Sequence, residues 1–149
     1  MSYQEKNITV SMISTLLIFA YYLARMFQLL QQDSIDPAEV YSLWGIIVVL
    51  GIVVNIASTI ITYIVLEIFH IVIKGDPPDS QVTDERDELI DLKGTRNTAY
   101  VMGAGMLISM ASQIVDMPPL TMFNLLFFFA ILSAIVGDFS QLYFYRRGF

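Results

Sequence analysis

The sequence contains no cysteine and only one histidine, His70. The absence of cysteine excludes disulfide bonds and thiolate metal sites. The sequence also lacks a glycine-rich phosphate-binding motif, a G-x-S-x-G nucleophile motif and an H-E-x-x-H zinc motif. With one histidine and no cysteine, a hydrolytic pair of nucleophile and base is difficult to assemble. An enzyme is therefore disfavoured without being excluded, and no cofactor is predicted.

Charged residues are also scarce, at 15% of the chain, whereas soluble proteins contain about 25%. Apolar residues make up 56% of the chain. This composition is typical of an integral membrane protein, whose first partner is the lipid bilayer. The net charge is −6 and no basic face is visible, so a nucleic-acid partner is not expected.

Four long segments predict four transmembrane helices, because a helix needs about 20 apolar residues to cross a bilayer. The predicted helices cover residues 8–30, 37–73, 84–115 and 120–145, and only residues 99–115 of the third lie in lipid. Asp36, Pro37 and Glu39 form a helix-start pattern, which places the beginning of the second helix near Pro37. The sequence thus predicts one all-α membrane domain, a four-helix bundle whose second and third helices extend into the cytoplasm.

Lysine and arginine are distributed asymmetrically in this topology. The N-terminal tail, the central segment and the C-terminus contain seven of them, whereas the opposite loops, residues 31–40 and 116–119, contain none. Arg25, the eighth, lies inside the first span. Because cytoplasmic loops are enriched in basic residues, we expect both termini in the cytoplasm and a location in the cytoplasmic (inner) membrane.

Two acidic residues lie inside predicted spans, and each is followed three positions later by another polar residue. These pairs are Glu67-x-x-His70 in the second span and Asp138-x-x-Gln141 in the fourth. Both pairs lie near the cytoplasmic ends of their spans, and each pair shares one face of its helix. An ionisable residue in a span is costly and usually faces the bundle or a wet cavity, so these four residues form a candidate functional polar cluster.

Three interpretations of the cluster are open. In the first, its two acids form structural ion pairs with basic residues at the cytoplasmic end: Arg86, Arg96, Arg146 or Arg147. In the second, the carboxylates bind a proton or a cation and His70 titrates as a relay. In the third and weakest, Glu67, His70 and Asp138 bind a metal ion, because Glu-x-x-His is half of a di-iron bundle motif.

The central charged motif, residues 84–96, is the only long polar stretch of the chain. Its charged side chains at i+3 and i+4 spacing carry like charges, so a helix here needs partners elsewhere. Leu89, Ile90 and Leu92 form an apolar edge that we expect to pack on the second helix. The motif either pairs with acids of the bundle or a second subunit, or it binds a soluble partner or an anionic ligand. The residues that would carry this role are Asp84, Glu85, Arg86, Asp87 and Arg96.

Small and polar residues recur at helical spacing in two of the spans. They are Gly51, Asn55, Ser58 and Thr62 in the second span, and Gly105, Ser109 and Ser112 in the third. Such residues let membrane helices approach closely. Because a chain of this size seldom encloses a solute path alone, we predict a homodimer or a larger homo-oligomer. Observation of a monomer both in mild detergent and in native lipid would contradict this prediction.

The central motif and the ending of the chain together resemble a known type of sequence. Asp84-Glu85-Arg86-Asp87-Glu88-Leu89-Ile90 and the ending Gln141-Leu142-Tyr143-Phe144-Tyr145-Arg146-Arg147-Gly148 are similar to those of a family of small uncharacterised prokaryotic membrane proteins with four spans. The resemblance covers residues 67–148 and implies architecture only. Asp138 stands where that family has glutamate, which keeps a carboxylate with a shorter reach.

Two functions remain open from the sequence. The first is a small sensor, regulatory or scaffold membrane protein that acts through its charged cytoplasmic motif, with a soluble cytoplasmic protein as its possible partner. The alternative is a small proton- or cation-linked transporter that uses its intramembrane carboxylates.

Overall fold

The computed structural model of the protein describes residues 3–32, 35–74 and 85–147. In this part of the chain all regular structure is helical: α1 covers Tyr3–Leu30, α2 covers Pro37–Lys74, α3 covers Glu85–Ala111 and α4 covers Pro119–Arg147. The predicted all-α class and the number of four helices are confirmed.

The residues of the helix-start pattern in the sequence form the observed N-terminus of α2. The backbone N–H of Ala38 donates to Oδ1 of Asp36 at 2.9 Å, and the N–H of Glu39 donates to the Asp36 carbonyl at 3.1 Å. Asp36 is thus the N-cap and Pro37 the first helical residue, where its missing N–H costs nothing. The prediction from the sequence is confirmed at this position.

The connection between α3 and α4 is a tight turn centred on Asp116. Asp116 has φ 56°, in the left-handed region, and the N–H of Met117 donates to the Ser112 carbonyl at 3.2 Å. Asp is one of the residues that enter this region most readily. The turn ends α3 at Ala111, four residues before the predicted end at Val115.

The four helices pack as antiparallel neighbours in the order α2, α1, α4, α3. Among the described residues, the extensive helix contacts are those of α1 with α2, α1 with α4, and α3 with α4. Contacts between Tyr22 and Asn124 and between Ser11 and Asp138 run in opposite directions along α1 and α4. The beginning of α1 and the end of α4 therefore lie at the same end of the molecule.

Three helices of the described chain are long and apolar enough to cross a membrane: Glu5–Leu30, Pro37–Val65 and Pro119–Arg147. These lengths exceed the roughly 20 residues that a bilayer requires. The protein is therefore a membrane protein, and most of its exposed apolar side chains have the character of a lipid-facing surface.

The buried core lies between the second half of α1 and the first half of α2. Its members recur at i+3 and i+4 spacing on both helices, as an amphipathic helix pair requires: Tyr22, Met26 and Leu29 on α1, and Val40, Leu43 and Ile47 on α2. Apolar side chains of α4 cover this cluster, among them Phe127 and Ile131. The core thus fixes α1, α2 and α4 against one another.

Candidate functional site

The charged start of α3 lies along the final turns of α4. The hydroxyl of Tyr145 donates to Oδ1 of Asp87 at 2.8 Å, and Nε2 of Gln141 donates to Oδ1 of Asp91, also at 2.8 Å. The residues of each helix are four positions apart, so the two bonds are one turn apart along an antiparallel pair. Two carboxylates that repel each other along α3 are therefore both hydrogen-bonded to neutral donors of α4.

Further contacts continue this interface toward the C-terminal half of α3. Nζ of Lys93 lies 5.2 Å from the ring centroid of Phe144, within the range of a cation–π interaction. Nδ2 of Asn97 donates to Oγ of Ser140 at 2.9 Å. The central charged motif and the C-terminal ending, which are the two parts of the sequence that carry the family resemblance, thus contact each other directly.

Three glycines set the close approach of α3 and α4. A Cβ atom on Gly94 would overlap the side chain of Gln141, and one on Gly105 would overlap Phe129. A Cβ atom on Gly137 would overlap the hydroxyl of Thr98. The interpretation of Gly105 as part of a packing surface is confirmed, because small residues allow such approaches between membrane helices.

Four other charged residues of the motif are exposed, although Arg86 lies close enough to Tyr145 of α4 to act on it electrostatically. The four are Glu85, Arg86, Glu88 and Arg96. Within the part of the chain that the structure describes, Arg86 and Arg96 form no ion pair. We call the side of α3 that contacts α4 the anchored face, and we call these four exposed residues together the outward face. Asp84 lies outside the described residues.

The apolar edge of the motif does not pack as the sequence predicted. Ile90 is fully buried, but Leu89 and Leu92 are 51% and 65% exposed. Among the described residues, α3 packs on α4 rather than on α2. The glycine contacts with α4 explain this difference, because they bring the α3 and α4 backbones close together and so orient α3.

Asp138 lies half-buried at the interface of α1 and α4. Oδ2 of Asp138 accepts a hydrogen bond from the hydroxyl of Ser11 at 3.1 Å. None of the described lysines and arginines forms an ion pair with it, so the structural ion pair predicted for this acid is not observed there. The reason is geometric: Asp138 faces α1, whereas Arg86 and Arg96 belong to α3, on the other side of α4.

The sequence-predicted polar cluster is divided between different helix contacts. Asp138 contacts α1, whereas Gln141, three positions later, contacts Asp91 of α3. The backbones of Glu67 and His70 belong to α2, and their side chains lie outside the part of the chain that the structure describes. No group of three metal-ligating side chains occurs among the described residues, and the metal interpretation with Glu67 and His70 stays a prediction.

A cleft of about 290 Å³ opens between α1, α2 and α4 close to Asp138. Most of its lining is apolar, but Ser14, Thr15 and Asn55 contribute polar groups. Thr15 lies one helical turn from Ser11, and the lining residue Ala134 lies one turn from Asp138. Asp138 does not line this partly polar cleft but lies one helical turn beyond it.

Asn124 forms a polar contact that sequence reasoning did not find. Its Oδ1 accepts hydrogen bonds from the hydroxyl of Tyr22 at 2.7 Å and from Nε1 of Trp44 at 3.3 Å. The ring of Phe127 stacks on Trp44, with 5.7 Å between the centroids. This contact joins α1, α2 and α4. The sequence offered one signal for this contact. Asn124 is a polar residue in the apolar first half of the fourth span, and Tyr22 and Trp44 are aromatic residues with hydrogen-bond donors at a similar level of the first and second spans.

No family model, curated protein or solved structure matches this chain. The resemblance to proteins with four spans and a DERD-type motif therefore stays a prediction.

Proposed function

We propose that the protein is a small regulatory or scaffold protein of the cytoplasmic membrane that binds a soluble cytoplasmic protein through the outward face of α3. The observation that carries this proposal is the division of the charged side chains of the motif into those that α4 holds by hydrogen bonds and those that it does not. Asp87 and Asp91 accept hydrogen bonds from α4, whereas the exposed Glu85, Arg86, Glu88 and Arg96 form no hydrogen bond with α4 among the described residues.

An anchored helix is a favourable platform for such a contact. The hydrogen bonds from Tyr145 and Gln141 order α3 before any partner binds. Binding to a preorganised surface loses less conformational entropy than binding to a flexible segment. Charges of both signs on the outward face support a protein partner with complementary charges, since electrostatic complementarity guides association and selects partners.

The proposal includes an orientation and an assembly. The outward face is cytoplasmic in a topology with both termini inside, which the lysine and arginine distribution supports. A four-helix bundle with α2 and α3 extending into the cytoplasm, and a homodimer of such chains, complete the proposed arrangement. The small and polar residues of the second span that lie beyond the cleft, Ser58 and Thr62, support a second copy as a neighbour of α2, whereas Gly51 and Asn55 line the cleft shared with α1 and α4.

The test is site-specific photocrosslinking of the full chain in its native membrane. A photoreactive residue replaces the exposed Glu88, and crosslinked proteins are identified by mass spectrometry. We expect one predominant soluble protein, and we expect Arg86→Glu to reduce its yield about tenfold or more, since like charges placed opposite each other cost several kcal/mol.

The matched control is Arg146→Glu, which reverses an exposed cation at the end of α4 outside the outward face. This variant should crosslink as the wild type does. A crosslink that survives Arg86→Glu unchanged, or one that recovers only lipid or another copy of the chain, would contradict the proposal.

A second candidate function is proton- or cation-linked transport. It is favoured by Asp138, a half-buried acid in a membrane span that is hydrogen-bonded to Ser11 and forms no ion pair among the described residues. Intramembrane acids of this kind often mark ion pathways. The nearby cleft supplies further polar groups. Flux through reconstituted protein separates the two functions, because a scaffold protein has none.

A further inference from the structure

A polar cavity lies where α1 ends and α2 begins. Asp138 contacts Ser11 near the opposite end of α1. The volume of the cavity is about 440 Å³, within the range of ligand-binding pockets. Charged and polar side chains of both helices line it: Tyr21, Arg25, Gln28 and Gln32 from the α1 side, and Glu39 from α2. Leu29 and Leu43 form its apolar part.

The two charges in this cavity are not neutralised by each other. Nη1 of Arg25 donates to Oε1 of Gln28 at 2.9 Å. Within the described residues, Arg25 and Glu39 form an ion pair neither with each other nor with any other side chain. A guanidinium has five N–H donors and a carboxylate accepts several hydrogen bonds, so both groups have capacity for a ligand.

The length of α1 places the cavity at the expected depth of lipid headgroups if the helix spans the bilayer. The 28 residues of α1 span about 42 Å at 1.5 Å per residue, which matches the roughly 40–45 Å of a bilayer with its headgroup layers. Arg25 is about 8 Å from the end of this helix at Leu30. Tyr41 and Trp44 lie at the same level of α2 as Glu39 and Leu43 and pack edge to face at 5.4 Å, and such aromatic residues are typical of the membrane interface.

We propose that this cavity binds the headgroup of phosphatidylethanolamine. The Arg25 guanidinium binds the phosphate, for which its planar fork is suited. The Glu39 carboxylate accepts hydrogen bonds from the primary ammonium group, and Leu29 and Leu43 contact the start of the acyl chains. The pairing of one cation and one anion selects this lipid. Choline has no N–H to donate, and an anionic headgroup offers Glu39 no cation.

The test is lipid binding to the purified full chain in mild detergent, measured by native mass spectrometry. The probes are dioleoyl lipids with ethanolamine, choline or glycerol headgroups. We expect the ethanolamine lipid to bind at least tenfold more tightly than the other two. Glu39→Gln should remove the preference for ethanolamine over choline, whereas Arg25→Gln should weaken binding of all three lipids. These two variants therefore separate the ammonium contact from the phosphate contact.

The matched control is Asp36→Asn, because it removes an acid from the same end of α2 and Asn is an equally good N-cap. This variant should keep the wild-type preference. Equal binding of the three lipids to the wild type, or a preference that survives Glu39→Gln, would overturn the proposal. If soluble glycerophosphoethanolamine binds as tightly as the lipid, the ligand need not come from the bilayer, and the proposal of a lipid ligand would be overturned.

Discussion

Asp138 illustrates how one residue can carry a functional hypothesis. Its carboxylate accepts a hydrogen bond from Ser11, and the residue lies one helical turn beyond a partly polar cleft. A serine hydroxyl can hydrogen-bond to either protonation state of a carboxyl group, whereas an ion pair would favour the charged state. The observed contact therefore leaves open a proton- or cation-binding role that a strong ion pair would disfavour.

The transport function predicts a specific effect of Asp138→Asn. Liposomes that contain the wild-type protein and a pH-sensitive dye should dissipate an imposed proton gradient, alone or in exchange with Na⁺ or K⁺. The Asn variant should fall to the rate of empty liposomes, because an amide cannot release a proton. Ser11→Ala should keep flux, since the carboxylate remains.

The matched control for this experiment is Asp116→Asn, an acid in the turn before α4. Asn tolerates the left-handed backbone conformation at this position, so the fold should be kept and flux should be unchanged. A wild-type rate equal to that of empty liposomes, or flux that Asp138→Asn leaves intact, would remove transport as a function.

Single residues also show the limit of reading partners from a sequence. Helical periodicity places a polar side chain on a face of its own helix, but it does not identify the helix that faces it. Asp138 and Gln141 share a predicted face, yet they contact α1 and α3, because α4 lies between these two helices. The acceptor role of Asn124 was hidden for the same reason.

At the scale of helices, the α3–α4 pair depends on close backbone approach. The Cβ of an alanine at position 105 would overlap Cβ and Cγ of Phe129, which lie too near the backbone to move freely. We expect Gly105→Ala to lower the free energy of unfolding by about 1–3 kcal/mol, as overpacking of a core does. Thermal or denaturant unfolding in mild detergent measures this change.

Gly103→Ala is the matched control for this change in the same helix. Gly103 is exposed, and a Cβ there meets no atom within 4 Å. Because alanine is about 1 kcal/mol more favourable than glycine in a helix, this variant should be neutral or slightly more stable. Equal effects of the two substitutions would show that α3 and α4 do not approach at Gly105.

Helix boundaries were predictable where a local motif sets them. The capping pattern at Asp36 and Pro37 acts through the nearest backbone groups, and it placed the start of α2 correctly. The end of α3 was placed too late, because Ile114 and Val115 continue the apolar run. Hydropathy reports solubility in lipid, whereas a helix ends where its hydrogen bonds end, here at the Asp116 turn.

At the scale of the whole molecule, the number and class of the elements followed from composition and apolar runs. The order in which the helices pack did not, since it depends on contacts between residues far apart in the chain. The placement of α3 on α4 rests on glycines and polar side chains that a hydropathy pattern does not distinguish. The antiparallel contact of α1 with α4 places the beginning of α1 and the end of α4 at the same end of the molecule.

This arrangement gives a sharp prediction about membrane orientation. Because the natural chain has no cysteine, single cysteines report topology without background. The two positions chosen for cysteine are Gln31, which directly follows the end of α1, and Thr95, which lies in the polar half of α3. Both residues are exposed. A membrane-impermeant maleimide applied to intact cells should label Gln31→Cys, and it should label Thr95→Cys only after permeabilisation.

The seven basic residues on one side and none in the two opposite loops are the physical reason for this expectation, because basic segments are retained in the cytoplasm during insertion. The cysteine-free chain should remain unlabelled under both conditions. Labelling of Thr95→Cys in intact cells would place the outward face of α3 outside the cytoplasm. This result would contradict the proposed orientation and therefore a cytoplasmic partner for Arg86 and Arg96. It would not affect the proposed lipid site at Arg25 and Glu39.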